Sequence, residues 1–446
     1  MSGRDAIVAV ATPWGRSALA IVRMSGADLA PVLGRWLRPR GGTALSPGRP
    51  RRVDVVDGRG HVVDDGVLVW LDHERTATGE PTAELTVHGN PALLEAVLDA
   101  ARDAGARLAR PGEFTRRAVL HGKLDLLQAE AVSQVIHAPT AAGARLARQG
   151  LEGTLSSEMV GIRDDLVTVA AELEARLDHP DDELALESDA ELVARLLAAA
   201  ERARDLAGTY AAGRVLVHGA RVALVGAVNA GKSSLFNALL GRPRALVHDQ
   251  PGTTRDVVEV QTQLGGLALT LLDTAGERVT TDPVEAAGLA LARELVDEAD
   301  LLLVVLRARP SGPSDAERQI LDRTRHRARL LVLNGVDRPH ASVPDALPTV
   351  APTGQGLPEL VGAIRRALLQ DDPADGDLLI ASARQRDRLA ELASLAHEAT
   401  LALPDAGVAV AAELTLAAIE QVDALTGADT REDVLDAIFA RFCIGK

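Results

Sequence analysis

Residues Gly226 to Ser234 have the spacing of a loop that binds phosphate. The segment reads GAVNAGKSS and fits the pattern GxxxxGK[ST]. The glycines let the backbone curl, so that its N–H groups and the N-terminus of a following helix can point at one anion. Lys232 is the residue type that reaches the β- and γ-phosphates of a nucleotide, and the Ser233 hydroxyl is the type that binds Mg²⁺. The apolar runs on either side predict a strand before the loop and a helix after it, ending at Gly241.

Three further segments follow in the order that a guanine-nucleotide switch needs. Asp273 ends an apolar strand in the sequence DTAG; its carboxylate can hold Mg²⁺ through water, and the Gly276 amide can sense the γ-phosphate. Thr254 lies before it in the segment GTTRD, which makes it a candidate second Mg²⁺ ligand in a switch loop. The segment from Asn334 to Asp337 reads NGVD, and its carboxylate can accept the N1–H and N2–H₂ groups of guanine. Together the four segments predict a GTPase.

The composition is that of a globular chain with several domains. The 446 residues predict roughly two to four domains. Hydrophobic residues make up 47% of the chain, but only three Trp, one Tyr and four Phe are present, so the cores rest on aliphatic side chains. A single cysteine excludes an internal disulfide framework and favours a reducing cytoplasm. No apolar run is long enough to span a membrane, and Asp5 inside the first apolar stretch argues against a signal peptide.

The apolar pattern divides the chain into three domains. Residues 1–120 combine strand-like runs with a helix at 91–104, which predicts a small α/β domain. Residues 121–215 and 373–446 have helical spacing, with helices expected at 124–151, 155–177, 190–207, 381–403, 408–425 and 431–442. Residues 216–372 carry the nucleotide motifs. The predicted fold class is an α/β P-loop GTPase domain inserted in an α-helical domain and preceded by a small α/β domain. A nucleotide-driven switch in such an insertion can move the arms on either side of it.

Several arginines lie in a Gly/Pro-rich segment of the first domain. They are Arg38, Arg40, Arg49, Arg51 and Arg52. The net charge of −15 means that any contact with nucleic acid must come from a local basic patch. From the sequence, these arginines are either such a patch or an ordinary solvated loop.

Segments far from the phosphate loop carry a family resemblance. They are residues 7–16, residues 110–118 with 122–131, and the closing FCIGK at 442–446. With the nucleotide motifs, they make the chain resemble the MnmE (TrmE) family of tRNA-modification GTPases from end to end. The resemblance implies a cytoplasmic homodimer formed through the N-terminal domain and an FAD-dependent partner of the MnmG type, with which it would form a heterotetramer. The complex would add a carboxymethylaminomethyl-type group to carbon 5 of the wobble uridine of certain tRNAs, with GTP hydrolysis that needs K⁺.

The resemblance also assigns residues to ligands. It places 5-formyltetrahydrofolate, or a related one-carbon folate, at Arg23, Glu84, Lys123 and Lys446. Cations can hold the glutamate tail of a folate, and a carboxylate can accept from the pterin N–H groups; without the resemblance these residues would be interpreted as structural charges. Cys443, otherwise a small hydrophobic residue, would lie next to that folate and could take part in catalysis. At the nucleotide, the resemblance gives Lys232 a catalytic role.

The nucleotide and metal ligands implied by the resemblance form a larger set. The resemblance implies that Mg²⁺ is bound by Ser233 and Thr254. It implies that K⁺ is bound by Asn229, His248, Gln250 and Thr253. The GTP-binding residues are Asn229, Ala230, Gly231, Lys232, Ser233, Ser234, His248, Asp249, Gln250, Pro251, Gly252, Thr253, Thr254, Asp273, Thr274, Ala275, Gly276, Asn334, Asp337 and Ala351.

Four segments depart from the family pattern. One of them, Val350-Ala351-Pro352, stands where Ser-Ala-x is usual and keeps the alanine whose N–H can meet guanine O6. Val228 replaces a proline that only shapes the turn. Pro251 stiffens the loop HDQPGTT, which stands where TxIAGTT is usual, and this puts the K⁺ dependence in question. Gly335 replaces the lysine whose aliphatic stem packs along the nucleotide. We therefore expect GTP specificity with weakened affinity.

The residue that activates water is assigned by its position in the family. Ras-like switches use the residue after the DTAG glycine, which here is Glu277. The family uses a glutamate before an apolar helix, which corresponds to Glu285; a carboxylate there could orient the attacking water through a second water. Acidic residues are also favoured in the first turn of a helix, so the residues alone leave both roles of Glu285 open.

Two other function classes fit the sequence less well. A ribosome-assembly-type GTPase that binds structured RNA would usually append a basic RNA-binding domain, which this acidic chain lacks. It would also have no reason to carry the terminal CIGK. A helical scaffold with an inactive nucleotide domain is disfavoured by the intact Lys232, Ser233, Thr254 and Asp273.

Overall fold

The computed structural model describes residues 5–42, 44–71, 76–178, 187–241, 257–274, 296–370, 373–374, 376–428, 432–440 and 442–445. The chain divides into two compact units. The first unit is Met1–Ser133, Gly150–Gly161 and Ile419–Lys446, and the second is Gln134–Gln149 and Ile162–Ala418. In the described residues, no helix combines the length and the apolar character needed to cross a membrane.

The first unit is built on a seven-stranded sheet with the spatial order β3-β4-β5-β6-β2-β1-β7. The strands are β1 (Ile7–Val10), β2 (Leu19–Ser25), β3 (Leu37–Pro39), β4 (Arg51–Val56), β5 (Val62–Leu71), β6 (Thr82–His88) and β7 (Arg107–Leu108). Alternate residues of β2 and β6 are buried, as expected for strands with one face on a core. The helices α1 (Leu29–Trp36) and α2 (Pro91–Asp103) supply Leu33, Trp36, Leu94 and Val97 to that core. Asn90 caps α2, since its side chain accepts a hydrogen bond from the backbone N–H of Ala92.

An ionic network holds the helix α3 (Glu113–Leu120) in this unit. Arg117 is 4% exposed and donates to the carboxylates of Asp5, Glu80 and Glu113 at 2.8–3.1 Å. Arg107 also donates to Glu113, at 2.6 Å. Burial alone would raise the pKa of Glu113. The hydrogen bonds from the Arg107 side chain and the Arg110 N–H, together with the charges of Arg107 and Arg117, outweigh it and lower the pKa to about 2. Glu113 therefore stays ionised and keeps the start of α3 fixed.

The second unit contains a six-stranded sheet with the order β13-β12-β11-β8-β10-β9. The strands are β8 (Ala220–Val225), β9 (Val257–Leu264), β10 (Leu267–Thr274), β11 (Leu301–Arg307), β12 (Arg329–Asn334) and β13 (Ala346–Thr349). Neighbouring strands are parallel, except that β9 is antiparallel to β10. Parallel strands are usually buried on both faces and therefore read as continuous apolar runs, of which LLLVVL in β11 is an example. The helices α9 (Lys232–Leu240), α10 (Asp315–Arg323) and α11 (Leu357–Leu369) accompany this sheet.

The remaining secondary-structure elements of the described chain are helices. They are α4 (Leu126–His137), α5 (Ala141–Leu151), α6 (Thr154–Asp178), α7 (Asp189–Gly208), α8 (Tyr210–His218), α12 (Ala383–Asp405), α13 (Val408–Thr426) and α14 (Glu432–Phe439). α7 and α12 pack along each other. Ser188 and Glu191 form a capping box that starts α7.

The predicted fold class is confirmed, with one correction among the helices. The stretch 124–151, expected as a single helix, is two helices with a break at residues 138–140. Pro139 lies in that break; proline lacks an N–H and disfavours helical backbone at the residue before it. The domain boundaries at 120, 215 and 372 stay predictions.

Candidate nucleotide site

The candidate site lies where three parallel strands of the second unit end. β10 pairs with β8 so that Asp273 lies opposite Leu224, and β11 joins β8 to β12 in the same direction. The carboxyl ends of parallel strands meet at one edge of a sheet, and ligands of such sheets bind at that edge. The phosphate loop, Asp273 and Asn334 follow or end these strands, so the fold brings the three predicted segments together.

The phosphate loop turns sharply before α9. Asn229 has a φ of 63° and Gly231 a φ of 97°, both in the left-handed region. Lys232 is the first residue of α9; its side chain is buried, and its Nζ donates to the carbonyl oxygens of Gly226 at 2.9 Å and Ala227 at 3.2 Å. The ammonium group is thus folded back over the loop, where a phosphate chain would lie. Ser233 and Ser234 are exposed at the start of the helix.

Asp273 has the geometry of a metal-binding residue. Its Oδ1 is buried and makes no hydrogen bond to any residue that the structure describes. A buried carboxylate oxygen without a donor is costly, and oxygen is the ligand atom that Mg²⁺ prefers. Asp273 and the exposed Ser233 hydroxyl therefore fit Mg²⁺, which would be held by Ser233 directly and by Asp273 through water.

Residues Asn334–Asp337, which we call the guanine segment, are hydrogen-bonded to neighbouring residues through Asn334. The Asn334 Oδ1 accepts from the backbone N–H of Ala351 at 3.2 Å and from the Thr349 hydroxyl at 3.5 Å. Its Nδ2 lies so close to the phosphate loop that a Cβ on Gly231 would be 2.3 Å from it. Asp337 is exposed and open to a base. The contact of Ala351 with guanine O6 stays a prediction, because its N–H donates to Asn334 here.

Two features of this segment were not found in the sequence. Gly335 has a φ of +87°, a conformation that residues with a side chain rarely adopt. Glycine at this position therefore fits the backbone conformation, and it also removes the lysine stem. Thr349 is fully buried, and its carbonyl oxygen accepts from the Gly335 N–H at 2.8 Å. The only signal for Thr349 is its place two residues before Ala351.

Many of the predicted ligands lie outside the described residues. They are His248, Asp249, Gln250, Pro251, Gly252, Thr253, Thr254, Ala275, Gly276, Glu277, Glu285 and Lys446. Thr274 is described only as the last residue of β10.

The first unit brings together two of the predicted folate residues. Arg23 and Glu84 are register partners on β2 and β6, and the Arg23 Nε donates to Glu84 Oε1 at 2.9 Å. Arg23 also donates to the carbonyl oxygen of Gly445 at 3.3 Å, and its guanidinium lies 5.9 Å from the centre of the Phe114 ring. The C-terminal segment therefore reaches this pair. Lys123 and Cys443 are exposed.

The fold and the site define a P-loop GTPase. The family described as GTP-binding protein TrmE N-terminus matches residues 6–123, and the family described as MnmE helical domain matches residues 126–443. The chain is 42% identical to "tRNA modification GTPase MnmE" of Roseiflexus sp. (strain RS-1) over 99% of both chains. It is 39% identical to the protein of the same name from Nitratidesulfovibrio vulgaris (strain DP4) over 100% of both. The chain belongs to the MnmE family.

Proposed function

We propose that this GTPase acts in tRNA modification and supports the addition of a carboxymethylaminomethyl-type group to carbon 5 of the wobble uridine. The observation that carries the proposal is the match over the full chain to relatives named tRNA modification GTPase MnmE. The nucleotide site supports it, because three of the four nucleotide motifs follow or end parallel strands of one sheet.

The nucleotide roles follow from the residues at that edge. Lys232 would move from the loop carbonyls onto the β- and γ-phosphates, and the N-terminus of α9 would face the same anion. Mg²⁺ would neutralise phosphate charge when bound by Ser233 and Thr254 directly and by Asp273 through water. Asp337 would select guanine by accepting from its N1–H and N2–H₂ groups. In this proposal Glu285 orients the attacking water.

K⁺ is proposed at the phosphate loop, with Asn229 as the one ligand in the described residues. Its left-handed backbone and exposed side chain leave the amide oxygen free to approach the phosphates. His248, Gln250 and Thr253 would complete the set. Turnover should be faster in KCl than in NaCl at matched ionic strength, and Asn229→Ala should lose that preference while still binding GTP. Equal turnover of the unmodified protein in both salts would remove K⁺ from the proposal.

The folate and the partners belong to the first unit. Arg23 and Glu84 form a pair reached by the C-terminal segment, which supports a site for 5-formyltetrahydrofolate completed by Lys123, Lys446 and the nearby Cys443. A homodimer through this unit and a heterotetramer with an FAD-dependent MnmG-type protein in the cytoplasm complete the proposal.

Mass spectrometry of wobble uridine tests the function directly. Cells with the gene deleted should lack the modified base, and the unmodified gene should restore it. Lys232→Ala should fail to restore it, because the phosphate contact is lost. Arg318→Gln changes an exposed i,i+3 ion pair with Asp315 and should restore it fully. Normal levels of the modified base in the deletion strain would refute the proposal.

A further inference from the structure

One segment of the first unit is strongly basic in an acidic chain. Residues 29–53 contain no Asp or Glu, whereas the whole chain has a net charge of −15. The segment contains six arginines, which we call the arginine edge: Arg35, Arg38, Arg40, Arg49, Arg51 and Arg52. A run of one sign within a chain of the other sign creates a local field that the net charge does not describe.

The fold places these residues on the outer border of the sheet. Arg38 lies on β3, which is the edge strand, and Arg51 and Arg52 begin β4 beside it. The backbone N–H of Arg40 donates to the carbonyl of Arg52 at 2.9 Å, so two positive residues lie opposite each other. Like charges in facing positions repel, and a nearby anion relieves that cost.

The described residues supply few carboxylates to these six cations. Among the described residues, Asp54 and Asp65 are the carboxylates in ion pairs with them. Asp54 contacts Arg40, and Asp65 contacts Arg40 at 3.3 Å and Arg52 at 3.5 Å. Within the described part of the chain, about four of the six positive charges are therefore left without a carboxylate.

The other four arginines show where that excess lies. Arg35 and Arg38 donate to backbone carbonyl oxygens, which carry no net charge. The side chains of Arg49 and Arg51 make no hydrogen bond or ion pair with the part of the chain that the structure describes. Arg38, Arg49 and Arg52 are exposed, the Arg52 side chain by 68%. An edge strand is commonly protected by a charged residue, but protection needs neither six charges nor the exclusion of acidic ones.

We propose that the arginine edge binds the phosphate backbone of tRNA. The proposal rests on the proposed function, which makes tRNA the polyanion this protein meets. Guanidinium groups form paired, charge-assisted hydrogen bonds with phosphate, and such contacts position an RNA without reading its sequence. The structure thereby favours a basic patch over the solvated loop that the sequence left open.

The test is tRNA binding by the full chain as a function of KCl, measured by fluorescence anisotropy with a labelled tRNA transcript. Arg38→Gln with Arg49→Gln removes two charges from the edge and no carboxylate contact. Arg102→Gln with Arg318→Gln removes two charges elsewhere, each from an exposed i,i+3 ion pair, and is the matched control. The edge variant should bind about 10-fold more weakly near 0.1 M salt, and its slope of log K against log salt should fall by about 1–2, because each lost phosphate contact removes roughly 0.7–0.9. The control should bind like the unmodified protein.

The outcomes separate this proposal from the proposed function. Equal affinity and slope for the two variants, or no tRNA binding by the unmodified chain, would overturn the arginine edge. Stronger binding of the edge to phosphatidylserine vesicles than to tRNA would also overturn it, in favour of a membrane surface. In each case the wobble uridine in the deletion strain still decides the function. GTP turnover of both variants should be unchanged, and the tryptophan fluorescence of their first unit should match that of the unmodified protein, which shows that both units are folded.

Discussion

Asp273, next to the last residue of β10, has one carboxylate oxygen buried and without a donor among the described residues. Because buried polar atoms are nearly always satisfied, this oxygen is best explained by a cation that the site receives with the nucleotide. Lys232 is the opposite case, since its Nζ already has two carbonyl acceptors that a phosphate must replace. The two residues therefore respond to nucleotide in different ways, one by gaining a ligand and one by exchanging acceptors.

Asp273→Asn should separate metal binding from nucleotide binding. The amide keeps the shape but loses the charge, so GTP turnover should fall by about 10²-fold and need more Mg²⁺ for half-maximal rate. Turnover titrated with Mg²⁺ is the measurement. Glu259→Gln on β9, which only weakens a 3.7 Å pair with Arg221, is the control and should not change either quantity. An unchanged Mg²⁺ requirement in Asp273→Asn would contradict the role.

Gly231→Ala should disturb the contact between the phosphate loop and the guanine segment. Its Cβ would lie 2.3 Å from Asn334 Nδ2, so Asn334 must move and GTP affinity should fall by more than about 10-fold, measured by calorimetry. Gly335→Ala is the matched control: it has a similar positive φ, but its Cβ would meet nothing closer than 3.9 Å. That variant should show only the backbone cost of about 1 kcal/mol. Equal losses of affinity would show that strain, not the contact with Asn334, is what matters.

The sequence predicted the members of this site but not how they touch. The phosphate loop, Asp273 and the NGVD segment could be predicted because each is a local pattern at the end of an apolar strand. The contact of Gly231 with Asn334 joins residues about a hundred positions apart, and the hydrogen bond from the Gly335 N–H to Thr349 joins different strand ends. Neither is encoded locally. The break at Pro139, in contrast, follows from proline chemistry and was available in the sequence.

At the scale of elements, α3 is held by charged groups as well as by apolar contacts. Glu113 binds two arginine side chains and the Arg110 N–H at the first residue of the helix. An acidic residue is also favoured at a helix start by the dipole. Replacing Glu113 takes away a carboxylate that Arg107 and Arg117 share and leaves some of their buried N–H groups without an acceptor, which is costlier than the pair is stabilising.

Glu113→Gln should destabilise the first unit by about 3 kcal/mol. All three tryptophans, Trp14, Trp36 and Trp70, belong to this unit, so denaturant unfolding followed by tryptophan fluorescence reports on it. Asp99→Asn, which weakens the exposed pair with Arg102, is the control and should change the unfolding free energy by less than about 1 kcal/mol. A similar small change in both variants would contradict the network.

The pH dependence of the same unit follows from the lowered pKa of Glu113. The pKa of the Glu113 carboxyl is 4.5 in the unfolded chain and about 2 in the folded protein. Its contribution to stability is therefore complete above pH 4.5 and is lost as the pH falls toward 2. Tryptophan-monitored unfolding between these pH values should show the unmodified protein losing stability more steeply than Glu113→Gln. Parallel pH profiles would show that Glu113 is not ionised by this network.

At the scale of the whole molecule, the second unit contains both the nucleotide sheet and helices that precede and follow it. The chain enters the sheet through α8, and it returns to α12 through residues 376–382. Gly213 of α8 lies against this return segment, where a Cβ would be 2.2 Å from the carbonyl oxygen of Ile380. The Ile380 N–H also donates to the Thr209 hydroxyl at 3.1 Å. The entering and returning segments are therefore in contact.

Gly213→Ala tests that contact against helix propensity. Alanine is better than glycine inside a helix by about 1 kcal/mol, so propensity alone predicts a more stable protein. We expect the reverse, a loss of about 1–3 kcal/mol from overpacking against Ile380, measured by denaturant unfolding followed by circular dichroism. Gly208→Ala at the end of α7 has no atom within 4 Å of its Cβ and should be neutral or stabilising. Stabilisation by both substitutions would show that the two segments can separate freely.

The contact between Gly213 and Ile380 also bears on how such a chain could arise. A stretch whose first and last residues already touch can be inserted into, or cut from, a host without rerouting what lies on either side. The entropy of closing a loop grows only slowly with its length, by about 0.6 kcal/mol for each doubling, so a long insert costs the host little more than a short one. The helices on both sides of the nucleotide sheet could thus have existed as a continuous ancestor with a turn at this point, later interrupted by a complete GTP-binding module.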